Sequence, residues 1–331
     1  MLAAWGEPAY RAAQVWGWLY QRLAGAPQDM TDLPKPLRVR LARETVLDPL
    51  APQVTLDSSD GQTRKTLFAL ADGTPIEAVL MRYERRRTVC ISTQAGCAMG
   101  CPFCATGQGG FERNLTPGEI VAQVLFYARL LAASSQAITN VVFMGMGEPL
   151  VNYAGTWGAI RRLNDHRGFN LGARAMTLST VGVVPGIRRM SQEREQVGLS
   201  VSLHAPNDGL RDQLVPINRH FPTSPLMAAC NDYVNITHRR ISFEYIMIDQ
   251  VNDQLDHARQ LADLVGGLLA QVNLIPLNPT EGGAFKPSPA GRVREFQTAL
   301  QARGITTTVR LRRGIDIQAG CGQLRARTAV K

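Results

Sequence analysis

From residue 88 to residue 311 the chain alternates short apolar runs with longer amphipathic ones, six times over. Strands are predicted at 88–93, 138–144, 175–180, 199–204, 241–248 and 272–277. Helices are predicted at 116–132, 155–164, 184–192, 225–235, 255–268 and 291–303, with a further strand at 306–311. Strand–helix alternation at this spacing requires parallel strands joined by right-handed crossovers. Six units fit an open, partial (β/α)6 barrel better than a closed eight-unit one. The strands are read as lacking clean in–out alternation, as expected when both faces of a parallel sheet are buried. In such folds the reactive groups sit at the carboxyl ends of the strands.

Upstream of residue 86 the pattern differs. A helix is predicted at 7–22, with Ala12, Val15, Trp16, Leu19 and Leu23 at three- and four-residue spacing. A second helix, 34–45, carries Lys35, Arg38, Arg40 and Arg43, and a solvated basic face is the ordinary explanation for such a run. Strand segments at 54–56, 66–70 and 76–81 follow, separated by Ser58-Ser-Asp-Gly61 and Ala71-Asp-Gly73. The 331 residues accommodate one large domain and a smaller one. The expected division is an N-terminal helical plus β-meander accessory domain, 1–85, and a catalytic core, 86–331.

Four of the six cysteines fall in Cys90-Ile-Ser-Thr-Gln-Ala-Gly-Cys97-Ala-Met-Gly-Cys101-Pro-Phe-Cys104. Cys97, Cys101 and Cys104 follow a predicted strand with Cys-x3-Cys-x2-Cys spacing, so one tight loop can turn three thiolates onto one centre. A [4Fe–4S] cube held by three thiolates keeps one iron open for a further ligand. A structural zinc ion is the alternative, but it calls for a fourth Cys or His at similar spacing; His166 and His204 are remote, and the next cysteine is Cys230. Cys230, at helical spacing among apolar neighbours, reads as a buried core thiol. A disulfide framework suits small secreted chains rather than one with a large core.

The net charge of +9 is unevenly spread: residues 280–331 hold 10 Lys/Arg against 3 Asp/Glu, whereas 91–279 balance at 14 each. A basic C-terminal end suits a polyanion approaching one side, and equally a solvated surface. No charged leader with an apolar core opens the sequence and no run of 18 apolar residues occurs, so a cytoplasmic protein with no membrane partner is expected.

Polar groups cluster at predicted strand ends: Gly145-Met-Gly147-Glu148-Pro149, Ser179-Thr180, Ser202-Leu203-His204 and Asn278. Each alone could be a turn, a cap or a core histidine. Their convergence on one rim predicts a binding site.

The cysteine loop, Phe143-Met-Gly-Met-Gly-Glu148-Pro, Leu178-Ser-Thr-Val-Gly-Val-Val-Pro185, Ser202-Leu-His204 and Ala319-Gly-Cys321-Gly-Gln-Leu324 together resemble the radical-SAM dual-specificity RNA adenine methyltransferases, across nearly the whole chain. The resemblance implies a [4Fe–4S] cluster on Cys97, Cys101 and Cys104, with S-adenosylmethionine (SAM) contacted by Gly147, Glu148, Ser179, Ser202, Leu203, His204 and Asn278. It implies methylation of adenine carbon 2 in 23S rRNA and tRNA, with two SAM consumed per turnover. Carbon 2 is electrophilic, so a methyl cation equivalent cannot simply be handed to it. In the family, Cys321 first takes a methyl from one SAM, and a radical made from another removes hydrogen from that S-methyl. The methylene radical adds to adenine, and Cys90 releases the adduct by forming a disulfide with Cys321. Glu77 matches the position proposed to accept the adenine proton. The resemblance further implies a one-electron donor of the flavodoxin type, a thiol reductant and a monomer. Methylation at carbon 8 of the same adenine, with antibiotic resistance, is the nearest alternative. A non-catalytic metal-binding RNA module is the alternative from another class; it would not cleave SAM.

Overall fold

A computed structural model describes residues 1–280, 283–310, 314, 316 and 317. Two helices open the chain, α1 (Ala9–Tyr20) and α2 (Lys35–Glu44). Pro36 sits in the first turn of α2, where a missing N–H costs nothing. The helix buries Leu37 and Leu41 in a small cluster with Ala24, Met30 and Leu33, flanked by Trp5, Trp18 and Leu19.

The meander β1 (Ala51–Asp57), β2 (Thr63–Ala69) and β3 (Pro75–Arg82) follows, paired antiparallel. β3 then pairs antiparallel with β4 (Arg87–Cys90). The meander therefore extends the core sheet at one edge. A short hairpin comes next: β5 (Gln94–Gly96), the single-turn helix α3 (Ala105–Gln108) and β6 (Phe111–Asn114).

The predicted alternation then runs to the end of the core. It comprises α4 (Pro117–Ala132), β7 (Asn140–Phe143), α5 (Tyr153–Asn164), β8 (Met176–Thr180), α6 (Val184–Met190) and β9 (Gly198–Ser202). After these come α7 (Asp208–Leu214), α8 (Thr223–Thr237), β10 (Ile241–Met247), α9 (Leu255–Val265), β11 (Ala270–Pro276), α10 (Ala290–Ala302) and β12 (Thr307–Val309). The ten-stranded sheet has the order β1-β2-β3-β4-β7-β8-β9-β10-β11-β12. It is parallel from β4 through β12 and does not close among the described residues, as a partial barrel requires.

Local signals account for several boundaries. Thr116 caps α4 by accepting the Glu119 N–H at 3.2 Å, while the Glu119 carboxylate accepts the Thr116 N–H at 2.8 Å, a reciprocal capping box. Asn207 caps α7 through the Leu210 N–H; that helix lies between the predicted strand 199–204 and the predicted helix 225–235.

One expectation is overturned. The barrel strands do alternate. In β8, β9, β10 and β11 the residues Leu178, Leu199, Val201, Phe243 and Leu274 are fully buried in one apolar cluster with Val124, Ile187, Leu261 and Phe296 of the surrounding helices. Each such side chain contributes about 1.5–3 kcal/mol relative to exposure. The alternate residues are Ser179, Ser200, Ser202, Ser242, Glu244 and Asn273, and they face the barrel interior. That interior carries polar side chains beside apolar ones such as Ile246 and Ile275, so period two survives in the parallel part of the sheet. No described helix is long and apolar enough to cross a membrane.

Candidate active site

The hairpin of β5 and β6 closes the base of the cysteine loop. The Cys97 N–H donates to the Gly110 carbonyl at 2.8 Å, and Gly96, at φ +77°, comes so close that a Cβ there would lie 2.0 Å from that same oxygen. Only glycine fits that crossing. The loop opens into a cleft of about 280 Å³ lined by Cys97, Cys101 and Cys104 together with Gly147, Glu148, Ser179, Ser202, His204 and Asn278. All the predicted cluster ligands and all but one of the predicted SAM contacts therefore share one cavity. The exception is Leu203, whose side chain is fully buried in the main core; its carbonyl accepts the Arg211 Nε–H at 3.2 Å.

Burial pushes the Cys97 thiol up to about 12, and the neighbouring Cys104 adds to the rise. Burial also raises Cys101, helped by Cys104 and Cys97. The three sulfurs thus lie within electrostatic reach of one another, a set that neutral thiols tolerate and that thiolates hold only with a metal centre to neutralise them. Cys101 packs with Ala205, Leu214, Val215 and Ile246, and Met99, Phe103 and Cys104 lie against the same apolar group. Among the described residues no three Cys, His, Asp or Glu side chains close on a single ion. Three soft donors beside an apolar collar would suit a [4Fe–4S] cluster that takes three protein thiolates.

The opposite wall is set by the Gly147-Glu148 turn. Gly147 has φ +100°, and a Cβ there would meet Gln94 at 2.5 Å, so the backbone passes directly over β5. Glu148 is buried; its carboxylate accepts the Leu150 N–H at 3.0 Å and the Val181 N–H at 2.8 Å. Burial raises it to about 7, with the backbone donors and the Thr180 hydroxyl opposing the shift. A bound ammonium would supply the opposite charge that neutral donors do not.

His204, two residues past the end of β9, is in the left-handed region, φ +61°, with its ring edge-on to Phe103 at 4.9 Å between centroids. Its Nδ1 accepts the Ile246 N–H at 3.1 Å. Burial, with Arg211 adding a smaller push, lowers His204 to about 3, so the ring is neutral at physiological pH. In the unfolded chain it gains a proton below its usual 6.5. Stability from the neutral ring is therefore full above pH 6.5 and is lost as pH falls toward 3. At pH 5 this single group is expected to cost about 2 kcal/mol. Denaturant titrations of the apoprotein at pH 7 and pH 5 check it: His204→Gln should show a pH dependence flatter by that amount, and an unchanged dependence would contradict it.

Two features at this rim escaped the sequence reading. Arg211, on α7, is fully buried and donates to Leu203 O, to Val181 O and to Asn218 Oδ1. It ties the loops after β8 and β9 together, and the signal for it was the Asn207-Asp208 cap pattern. Glu244, inside β10, lines the cleft and accepts from Ser200 Oγ at 2.8 Å, Ser242 Oγ at 3.0 Å and Asn273 Nδ2 at 2.8 Å. Its signal was the polar–apolar alternation that the sequence reading set aside.

Glu77 on β3 and Cys90 at the end of β4 are not among the residues that line the cleft. Glu77 is almost fully buried and pairs with Lys65, Nζ to Oε2 2.9 Å. Cys90 is half-buried, and burial pushes its thiol up to about 11. Cys230 is fully buried in the core, as expected. Cys321 and most of the basic C-terminal segment lie outside the described residues.

An open parallel barrel with a three-cysteine loop above its first strand defines a radical-SAM enzyme, and the radical SAM superfamily profile matches residues 91–262. The profile of the ribosomal RNA large subunit methyltransferase N-terminal domain matches residues 1–47. "Dual-specificity RNA methyltransferase RlmN 1" of Myxococcus xanthus is 51% identical, covering 98% of this chain and 91% of its own length. "Probable dual-specificity RNA methyltransferase RlmN" of Chloroflexus aurantiacus is 50% identical over 100% and 90%. The crystal structure of a radical SAM methyltransferase from Sphaerobacter thermophilus superposes with a TM-score of 0.96 at 52% identity, covering 97% of this chain and 94% of that one. The chain belongs to the RlmN family of radical-SAM RNA methyltransferases, enzymes that use a [4Fe–4S] cluster and SAM.

Proposed function

We propose that this chain forms 2-methyladenosine in 23S rRNA and in tRNA, through a methyl group carried on Cys321. The observation that carries the reading is the meeting of three thiols with Gly147, Glu148, Ser179, Ser202, His204 and Asn278 in one cleft, in a chain whose relatives are named dual-specificity RNA methyltransferases. Cys97, Cys101 and Cys104 would hold the cluster. When bound, it supplies the electron that cleaves the SAM sulfonium and so a carbon radical. Glu148 and the Gly147 turn would face the SAM ammonium, while Ser179, Ser202 and Asn278 offer hydrogen bonds to its polar groups. Neutral His204 holds the Ile246 backbone and walls the cleft beside Phe103. Glu77 would take the proton from adenine carbon 2 as the adduct radical gives up one electron to an acceptor of the flavodoxin type, leaving a closed-shell thioether. Cys90 would attack the sulfur of Cys321, so that the bond from that sulfur to the methylene carbon breaks and the carbon, leaving with the electron pair, is protonated to a methyl group.

Residues 1–85 would act as the RNA-facing accessory domain. Lys35, Arg38, Arg40 and Arg43 lie on α2, although Arg40 and Arg43 already contact Glu44. Phosphate contacts from this face and the basic C-terminal end would make affinity fall with salt. A one-electron donor of the flavodoxin type and a thiol reductant for the Cys90–Cys321 disulfide complete the cycle, and the enzyme would act as a monomer in the cytoplasm.

The test is anaerobic reaction of reconstituted enzyme, SAM and reductant with 23S rRNA and tRNA, followed by nucleoside mass spectrometry. The expected product is 2-methyladenosine from both RNAs. An 8-methyladenosine product would move the enzyme to the other carbon, and no methylated adenosine would overturn the reading.

A further inference from the structure

The N-terminal helices and the barrel have separate apolar clusters that meet at a seam. The smaller cluster holds Ala24, Met30, Leu33, Leu37 and Leu41, with Leu47 against it; the larger holds Leu50, with Tyr20 and Leu23 packed on it. The chain therefore crosses the seam twice, at Leu23–Ala24 and between Leu47 and Leu50. Arg129, in the last turn of α4, grips both crossings. Its Nε–H donates to Leu23 O at 3.1 Å and its Nη2 to Ala24 O at 3.4 Å, while its Nη1 meets Asp48 Oδ2 at 2.6 Å. The other Asp48 oxygen accepts the Leu50 N–H at 3.3 Å, so this carboxylate folds the linker against the guanidinium. The two side chains are 22% and 29% exposed, and a half-buried pair is screened less than one in open solvent. The planar fork of an arginine serves three such acceptors at once, as a lysine ammonium does not. Elsewhere along the seam, Gln21 Nε2 donates to Arg167 O at 3.0 Å, and Trp16 Nε1 stands 2.6 Å from where a Cβ on Gly168 would lie.

We propose that Arg129 is a positioning residue for the RNA, a clamp that locks the N-terminal unit, 1–47, in one orientation to the cleft. The assignment rests on the reading of that unit as RNA-facing. Lys35, Val39 and Arg43 stand four residues apart on the exposed face of α2, opposite the buried Leu37 and Leu41. Helix α4 connects this unit to the cysteine loop. Gln123 accepts the Ser92 N–H at 2.8 Å and donates to Ser92 O at 2.9 Å, which fixes the segment entering the loop. Arg129 lies six residues further on, about 9 Å along the same helix. Small contacts between domains ordinarily permit relative motion, and residues 45–50, which join α2 to β1, lie outside any helix or strand. With the clamp closed, α2 and the cleft meet one RNA as a single pre-organised surface. With it open, every RNA that binds must also fix the orientation of the unit, at a cost in affinity.

The test is steady-state methylation of tRNA by the reconstituted enzyme under anaerobic conditions, with kcat and the KM for RNA determined separately. Arg129→Met should raise the RNA KM about tenfold and leave kcat within about twofold. Asp48→Asn, which takes the charge from one arm of the clamp, should raise KM by a smaller factor. Hydrogen exchange at residues 21–26 and 45–50 should quicken in Arg129→Met, with β8 to β11 protected as before. An unchanged KM overturns the proposal, and so does a fall in kcat at constant KM, which marks general damage to the fold. Should Arg129→Met not fold, Asp48→Asn decides alone. Lys35→Glu/Arg43→Glu separates this proposal from the reading beneath it. If that charge reversal raises KM while Arg129→Met does not, the clamp falls and the RNA-facing reading of α2 stands. If Arg129→Met raises KM and the charge reversal does not, the clamp stands and the RNA meets another face of the N-terminal unit.

Discussion

Cys90→Ala is expected to leave the enzyme joined covalently to its RNA. Cys90 closes β4 and packs no deeper than half-buried, so its loss as a β-strand residue costs little in folding. On the proposed mechanism, what it removes is the nucleophile that frees the adduct from Cys321. The earlier steps of that mechanism draw on the three cluster thiols, the SAM contacts and Cys321. Turnover should therefore fall by about 10³-fold or more, while a protein–RNA conjugate accumulates toward one per enzyme. Denaturing electrophoresis of labelled RNA, with mass analysis of the digested conjugate, reads it directly. A variant that loses activity without trapping RNA would show that Cys90 acts before the carbon–carbon bond forms, or only in the fold.

Cys101→Ser should abolish activity by another route. Cys101 is only 5% exposed and sits within the apolar collar of Ala205, Leu214, Val215 and Ile246. Serine is nearly isosteric, so the loop should keep its shape, but a hydroxyl is a hard, weakly acidic donor where iron–sulfur chemistry selects thiolate. The expected result is loss of the brown iron–sulfur absorbance after reconstitution, with iron content falling well below that of the parent protein. RNA methylation should drop by about 10³-fold or more. Circular dichroism of the apoproteins should superpose. Full iron content in Cys101→Ser would show that the cluster is held by other residues.

The barrel was legible because each unit carries its own signal. The predicted helix 116–132 matches α4, and Leu199, Val201, Phe243 and Leu274 marked strands that do lie in the parallel part of the sheet. The cleft was legible for a related reason: residues ending parallel strands are brought to one rim by topology alone, so Ser179, Ser202, His204 and Asn278 could be grouped before their distances were known.

Where the reading went astray, tertiary context had overridden local pattern. The hairpin of β5 and β6 is too short and too polar, Phe111-Glu-Arg-Asn114, to show a period. The α7 turn carries few apolar residues because its main business is to bury Arg211. The strands were expected to lack clean alternation because both faces of a parallel sheet are commonly buried. Serines and Glu244 at every second position are what a parallel sheet shows when one of its faces lines a binding cleft instead of a core. Likewise the pairing of Glu77 with Lys65 depends on the register of β2 against β3, which no local spacing encodes.

On the proposed mechanism the methyl group travels through the protein and loses a hydrogen on the way. That route is tested most directly with SAM carrying a fully deuterated methyl group, by mass analysis of the methyl on the modified adenosine. Passage through a methylene on Cys321 predicts a product methyl with two deuteria and one hydrogen taken from solvent or protein. A product retaining all three deuteria would mean direct transfer from SAM to adenine, and would contradict the roles given to Cys321, Cys90 and Glu77 together.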